Sequence, residues 1–409
     1  MTESTSARAG QLRRGLFLAI GVAAVVLGAV VALRIDTLLP GTAVAASGSP
    51  SIAPTASPVA VPAATLAPSE QPPTAPPPTP IPTPPMVAGP LTGLLVSPEA
   101  ALQHPIAVMV DDHADARPQS GFNAASIVWH APAEGGVPGY MMIFQDKIPA
   151  GVGPIRSSRE YYIEWAAEWR AMYVHHGGSP QALETLRNHG GGSWVYNADG
   201  FRWSPRFLWR TDDRAAPHNV YTDGAHLRQL AAKLGADDAT IKPIWDFGRA
   251  LDPRIRPVGG SITVIYPYET ITYRYDTTTN RYLRYINGSK KPQVDAADGQ
   301  VVAPTNVVIL RMFFGPLNDG HPTKHRLEAQ NVGKGEAWIS TNGVTIKGQW
   351  RKASETAPTR LFGSDGKPIT LAAGQTFVQV LALNYDFSFK KGVVPVFVPP
   401  MQALRADRS

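Results

Sequence analysis

From Ser47 to Pro90 the chain is almost entirely Pro, Ala, Ser and Thr, with Glu70 as its only charge. A segment this poor in large apolar side chains cannot bury enough surface to offset the entropy of ordering it, so it reads as an extended linker. With the short polar stretch before it the linker covers residues 34–90. At ~3.1 Å per residue in the polyproline conformation the 47–90 stretch could span up to about 130 Å. It is a spacer on this reading; the other reading is a ligand for proline-binding modules.

The linker separates two different kinds of sequence. Before it, Gly15 to Leu33 is an uninterrupted uncharged run, G-L-F-L-A-I-G-V-A-A-V-V-L-G-A-V-V-A-L. That run is long enough to cross the ~30 Å apolar layer of a bilayer as a helix. Arg8, Arg13 and Arg14 precede it, so the positive-inside rule leaves residues 1–14 in the cytoplasm and sends the bulk of the chain outward. The alternative is a cleaved signal peptide ending near Ala43-Val44-Ala45; the distance of that site from the apolar run favours an uncleaved signal anchor. Either way the folded part is extracytoplasmic, and the anchor reading holds it at the cell membrane.

After the linker, about three hundred residues carry alternating apolar and turn-forming segments. Ile106–Val110, Ala124–Trp129, Tyr140–Phe144 and Met172–His175 read as strands. Tyr161, Tyr162, Trp165 and Trp169 fall at helical spacing within 157–173. Ser179 followed by Pro180 predicts a second helix start, and Asp223–Leu234 a third helix stopped by Gly235. Residues 91–249 are therefore expected to form an α/β domain. From residue 250 to about 400 the pattern becomes strands parted by T-T-T-N, I-N-G-S, T-N-G-V and S-D-G-K, which predicts a mostly β domain and a short tail at 401–409. The net charge of +6 on 409 residues, without a basic stripe interleaved with aromatics, argues against nucleic acid as a partner. Zero cysteines exclude disulfides, thiolate metal sites, a Cys nucleophile and a lipidated Cys anchor.

Chemistry concentrates where strands deliver charge to loops. Asp111, Asp112, His113, Asp115 and Arg117 crowd the end of the first strand. Alternating Asp111, His113 and Asp115 could ligate a metal, although the EF-hand pattern fails at Ala116 and Phe122. Asp111 and Asp112 are the metal-ligand candidates, with Mg²⁺ or Ca²⁺ a better match than zinc for carboxylates. Arg156, Ser157 and Arg159 stand at an expected helix start, where free N–H groups and guanidinium forks suit phosphate or carboxylate. Gly178 and Ser179 repeat that arrangement at the next helix. The competing explanation is structural: caps and ion pairs to Glu160, Glu164 or the Asp cluster. His175, His176 and His218 are the acid/base candidates, with Asn219 beside His218 as a further ligand contact. Trp203 and Trp209 could stack on a sugar or simply cover the core. No nucleophile elbow, phosphate-binding loop, H-E-x-x-H or dinucleotide fingerprint occurs, so the residues name no reaction.

Taken together, L-T-G-L, I-A-V-M-V-D-D-H-x-D-A-R-P-Q-S-G, A-x-I-V-W-H-A-P-A-E-G-G, G-P-I-R-S-S-R-x-Y-Y, Y-V-H-H-G-G-S-P-Q-A and A-P-H-N-V-Y-T resemble the YerB-like family of bacterial extracytoplasmic domains. R-Y-L-R-Y-I-N-G, N-V-V-I-L and G-Q-W-R-K look like that family's C-terminal companion domain. The resemblance implies a cell-envelope role and transfers no catalytic residue. Family members are often lipoproteins, and this chain departs from that in having no Cys. The order of strand, Asp, Arg, strand and R-x-x-R helix start is also similar to LytR-CpsA-Psr phosphotransferases. That likeness would make Arg117, Arg156 and Arg159 phosphate clamps and Asp111 or Asp112 a Mg²⁺ ligand.

The expected function is thus an envelope protein that binds an anionic cell-wall or lipid-linked ligand, or a protein partner. A glycopolymer phosphotransferase is the alternative. A third reading is an interaction module that regulates cell-wall synthesis proteins.

Overall fold

A computed structural model describes residues 85–237 and 241–395. The apolar run Gly15–Leu33, residues 34–84 of the linker and the tail 401–409 lie outside the described residues. Among the described residues no helix is long and apolar enough to cross a membrane. Val87–Ala88, which composition assigns to the linker, pairs antiparallel with Leu95–Val96 and so already belongs to the fold.

The elements that build the core are, in chain order, β1 (Ile106–Asp111), β2 (Ile127–Pro132), β3 (Pro138–Phe144), α1 (Glu160–Ala167), β4 (Met172–His175), α2 (Pro180–His189), β5 (Tyr196–Asp199) and α3 (Gly224–Leu234). The second half adds β6 (Ser261–Tyr266), β7 (Glu269–Asp276), β8 (Arg281–Ile286), β9 (Asn306–Met312), β10 (Gly333–Thr341), β11 (Val344–Lys352), β12 (Arg360–Gly363), β13 (Thr376–Ala382) and β14 (Phe387–Lys390). Helices are few and strands many, and the part after residue 250 is mostly β.

The helix boundaries follow local chemistry. Ser179 caps α2 by accepting from the Ala182 N–H at 3.3 Å, with Pro180 at the first helical position. Asp223 caps α3, and Gly235 ends it in the left-handed region at φ 71°. α1 stops at Ala167, short of the span its aromatic spacing predicts; Trp169 is buried in the turn that follows rather than on the helix. Between β10 and β11, Asn342 and Gly343 take φ values of 51° and 77°, the positive pair that a two-residue hairpin turn requires.

Strands from both halves of the chain enter one ten-stranded sheet, in the order β12-β11-β10-β9-β13-β2-β3-β1-β4-β5. The seam between the halves is the parallel pairing of β13 with β2, Thr376 opposite Ile127 through Gln379 opposite His130. Thus the α/β character of 91–249 and the β character of 250–400 are joined through a shared sheet. β1, β2, β4, β5, β9 and β13 all run the same way, which places their C-terminal ends along one edge.

Period-two alternation sorts the side chains onto two faces. Met109, Trp129, Met141, Val308, Leu310, Val378 and Val380 meet Tyr161, Tyr162, Ile163 and Trp165 of α1 on one face, where Trp129 and Trp165 stack at 4.6 Å. Val108, Val110, Val128, Tyr140, Met142, Ile309 and Phe377 form the other. That second face is covered by α3 and by a four-stranded sheet, β8-β7-β6-β14, through Ile262, Val264, Ile271 and Tyr273.

Burial raises the carboxyl of Glu164 on α1 to about 7, the nearby Glu160 adding to the shift. A carboxyl raised in the fold stabilises it fully below its unfolded value of 4.5, and that stability is lost as pH rises towards about 7. The loss is of the order of 3 kcal/mol. Glu164→Gln is expected to flatten this decline, so that the variant gains on the parent between about pH 5 and about pH 8 in urea unfolding.

Candidate functional site

The alternation that sorts the core also parts two neighbouring aspartates. Asp111 ends β1 on the α1 face, and Asp112 projects to the opposite face, beneath the four-stranded sheet. Each becomes the centre of its own cluster.

Asp111 is nearly buried and takes three partners. His218 Nδ1 lies 2.6 Å from its Oδ2, Arg156 Nε 3.0 Å from the same oxygen, and the His113 N–H donates to Oδ1 at 3.0 Å. His113 stacks on His218 with ring centroids 4.7 Å apart. A cleft of about 220 Å³ opens beside this cluster, lined among others by Asp111, His113, Glu134, Arg156, Ser157, Arg159 and Tyr162. Arg159 is ion-paired with Glu134 and donates to the Ser158 carbonyl, while Arg326 approaches the other Glu134 oxygen at 3.7 Å. The cleft lies at the carboxyl ends of parallel strands, the place where open α/β sheets hold ligands.

Asp112 sits in a buried polar layer. His130 Nε2 donates to its Oδ2 at 2.8 Å, while Arg117 at 2.9 Å and Gln119 at 3.0 Å donate to its Oδ1. Arg117 also pairs with Glu269, which enters from β7, and Glu269 stands 3.5 Å from His130. His130 stacks on Tyr140 at 4.2 Å, and the fully buried Arg284 donates to the Tyr140 and Tyr273 hydroxyls at 2.6 and 3.2 Å. Burial pushes the Glu269 carboxyl well up, and the charge on Asp112 adds to it. Burial also opposes ionisation of Asp112, yet the His130 ring bonded to it and the Arg117 guanidinium hold its carboxyl well below the usual range. Two carboxyls in one buried cluster oppose each other's ionisation, so the fold lowers the Asp112 carboxyl and raises that of Glu269.

His130 is held below the ordinary imidazole value by burial. Both ring nitrogens face acceptor oxygens: Nε2 the Asp112 carboxylate, and Nδ1 the Gln379 Oε1 at 3.0 Å, while the Gln379 Nε2 donates to the Tyr273 hydroxyl at 2.9 Å.

The residues singled out from the sequence are distributed as follows. Arg156, Ser157 and Arg159 line the first cleft together with Asp111, and His218 is bound to Asp111. Arg117 lines a second cleft of about 410 Å³ with Asp112, Gly135, Tyr268 and Glu269. The three arginines therefore do not converge on one pyrophosphate-sized pocket. Asp111 and Asp112 face opposite ways and cannot chelate one Mg²⁺ between them, because each already serves its own Arg and His. Gly178 packs against Ser158, where a Cβ would come within 3.2 Å, and Ser179 spends its hydroxyl on the helix cap; both act structurally. Asn219 bridges loop carbonyls of Thr211 and Arg214 and accepts from Arg210. His175 is buried between Gly177 and Asn197. His130, Glu269, Arg284 and Gln379 were not visible as a site. A lone His in an apolar strand, His130 of I-V-W-H, was the one available signal.

Comparison with known proteins agrees with this architecture. Residues 91–237 match the N-terminal domain, and residues 262–378 the C-terminal domain, of DUF3048, described as a protein of unknown function. YerB of Bacillus subtilis (strain 168), named as a lipoprotein, is 29% identical over 313 residues, covering 74% of this chain and 88% of that protein. The crystal structure of Bacillus subtilis YerB superposes with a TM-score of 0.66 at 26% identity, covering 75% of this chain and 100% of that one. Asp112 and Glu269, which meet in one buried cluster, come from the two different matched domains.

Proposed function

Because this chain belongs to the YerB-like family, whose two domains are described as of unknown function, its role has to be argued from its own side chains, and we propose that it is a membrane-tethered extracytoplasmic protein that binds the anionic group of a cell-envelope ligand. The tether is the apolar run Gly15–Leu33, set behind Arg8, Arg13 and Arg14. It replaces the lipidated cysteine that a lipoprotein would use and this chain lacks.

The observation that carries the reading is the first cleft. Arg156 and Arg159, flanking Ser157 on one short segment before α1, both line it, and the Arg156 side chain is 36% exposed. In the free cleft each guanidinium is shared with a carboxylate, Arg156 with Asp111 and Arg159 with Glu134. An incoming phosphate or carboxylate competes for those guanidinium forks, while Asp111 keeps His218 and Glu134 keeps Arg326. Such an exchange costs no uncompensated charge. It also favours a ligand whose hydroxyl or amide donors can meet the released carboxylates.

The test is thermal unfolding of the full chain with a short-chain polyprenyl pyrophosphate. Ligand at a hundredfold excess over its Kd stabilises by about 2.7 kcal/mol, so Tm is expected to rise with ligand concentration. Arg156→Ala/Arg159→Ala should abolish the shift. A shift that requires Mg²⁺ as well would favour the phosphotransferase reading, and no shift at saturation would turn attention to a protein partner.

A further inference from the structure

The first cleft has, at its rim, a second set of groups that anion binding does not use. His113, Asp115 and His218 bring one ligand atom each within 4.8 Å of one another. His218 is fixed by Asp111: its Nδ1 is bound at 2.6 Å to a carboxylate whose side chain is 7% exposed, which leaves Nε2 as the free ring nitrogen. This is the carboxylate–histidine arrangement that orients a metal-binding imidazole and sets its tautomer. His113 Nδ1 and Asp115 Oδ2 stand 3.5 Å apart. Two donors on one tetrahedral zinc lie about 3.3 Å apart, given bonds of 2.0–2.1 Å.

We propose that His113, Asp115 and His218 form an open, three-ligand site for a divalent cation of the zinc class, with Asp111 as the residue that positions His218. Two imidazoles and one carboxylate prefer borderline cations to Mg²⁺ or Ca²⁺, which need oxygen donors. The ligands are unequal in mobility. His218 is held, whereas the side chains of His113 and Asp115 are 44% and 74% exposed and free to turn. The imidazole planes of His113 and His218 are now nearly parallel, 17° apart, so His113 swings out of the stack to aim a nitrogen at the shared ion. It gives up the stacking on His218 and a 3.2 Å hydrogen bond from the Asp115 N–H in doing so. The fourth position is left to water or to a donor from the ligand.

The other His–carboxylate group, Asp112, His130 and Glu269, is not such a site. Its charge is already balanced by Arg117, and all three side chains are buried.

The experiment is calorimetric titration of the full chain with Zn²⁺, then with Mg²⁺. One equivalent of Zn²⁺ is expected to bind, and Mg²⁺ at the same concentrations is not. His113→Ala and His218→Ala should each weaken Zn²⁺ binding at least a hundredfold. Asp111→Asn should weaken it by roughly 10–100-fold with the stoichiometry kept, as loss of an outer-shell partner does. His113 is surface-exposed, so its variant tests the site without threatening the fold. Zn²⁺ binding that survives His113→Ala/His218→Ala, preference for Mg²⁺, or no heat of binding would each overturn the proposal. Because the probe is the metal alone, failure here leaves the pyrophosphate result untouched, and the reverse also holds.

Discussion

Replacing Lys352 by methionine is expected to destabilise the protein by about 3–5 kcal/mol near neutral pH, the cost of stranding one member of a buried ion pair. Lys352 on β11 and Glu168, just past α1, are both fully buried, with Nζ and Oε1 2.9 Å apart. Nζ also donates to the Ala357 carbonyl at 2.5 Å, and Glu168 accepts from the Thr359 N–H and hydroxyl at 3.0 and 2.6 Å. Without Lys352 the carboxylate keeps the hydrogen bonds to Thr359 but loses its counter-charge, and it can escape only by taking up a proton. Burial already raises the Glu168 carboxyl. Removal of the lysine raises it further, so the penalty is smaller in acid and grows as pH rises through the shifted value. The double variant Lys352→Met/Glu168→Leu should recover most of the loss, since no unpaired charge is left. Urea unfolding of the three variants at acid and neutral pH measures this directly. If Lys352→Met alone proves neutral, the pair contributes nothing and the two elements are held by packing only.

The second large effect belongs to the polar layer under β7. Asp112→Asn is expected to cost about 3–5 kcal/mol, because it removes the charge on which both Arg117 and His130 depend. Glu269→Gln should cost less than about 1 kcal/mol, because an amide replaces a carboxyl that is already neutral. The two changes also differ in sign with pH. Glu269 is raised above 4.5, so its contribution is complete in acid and is lost as pH climbs through the raised value; Glu269→Gln removes that decline. Asp112 is depressed below 3.8, so its contribution is complete above that point and disappears only in stronger acid. Equal destabilisation by both variants would show that Glu269 acts as an ion as much as Asp112 does.

The legible parts of this molecule are those decided by neighbours in sequence. The buried strand 106–111, the Ser179-Pro180 start of α2, the Asp223 and Gly235 limits of α3 and the Asn342-Gly343 turn all follow from residues a few positions apart. The Asp111, Arg156 and Arg159 side of the site is legible for the same reason, as charge delivered to the ends of elements. What lies beyond reach is pairing across distance. Arg117 reads as a free anion clamp until Glu269, 152 residues later, is seen against it. His130 reads as an ordinary core histidine because Gln379, 249 residues away, is needed to complete its surroundings. Nor does any local pattern show that β13 is to be laid beside β2.

That last pairing bears on how the chain is made. β2 is synthesised early, and its neighbour, β13, follows some 250 residues later, near the end of the described chain. A polypeptide emerging amino-terminus first therefore exposes the open edge of β2 until nearly the whole of it has been made. Sheet closure over such a separation is intrinsically slow, and an unpaired edge invites association with other chains. The matched region 91–237, taken alone, carries that same edge. The assembly of this protein is thus timed by its last strands, and a quality-control factor with an appetite for bare β-edges would find its target in the half-made chain.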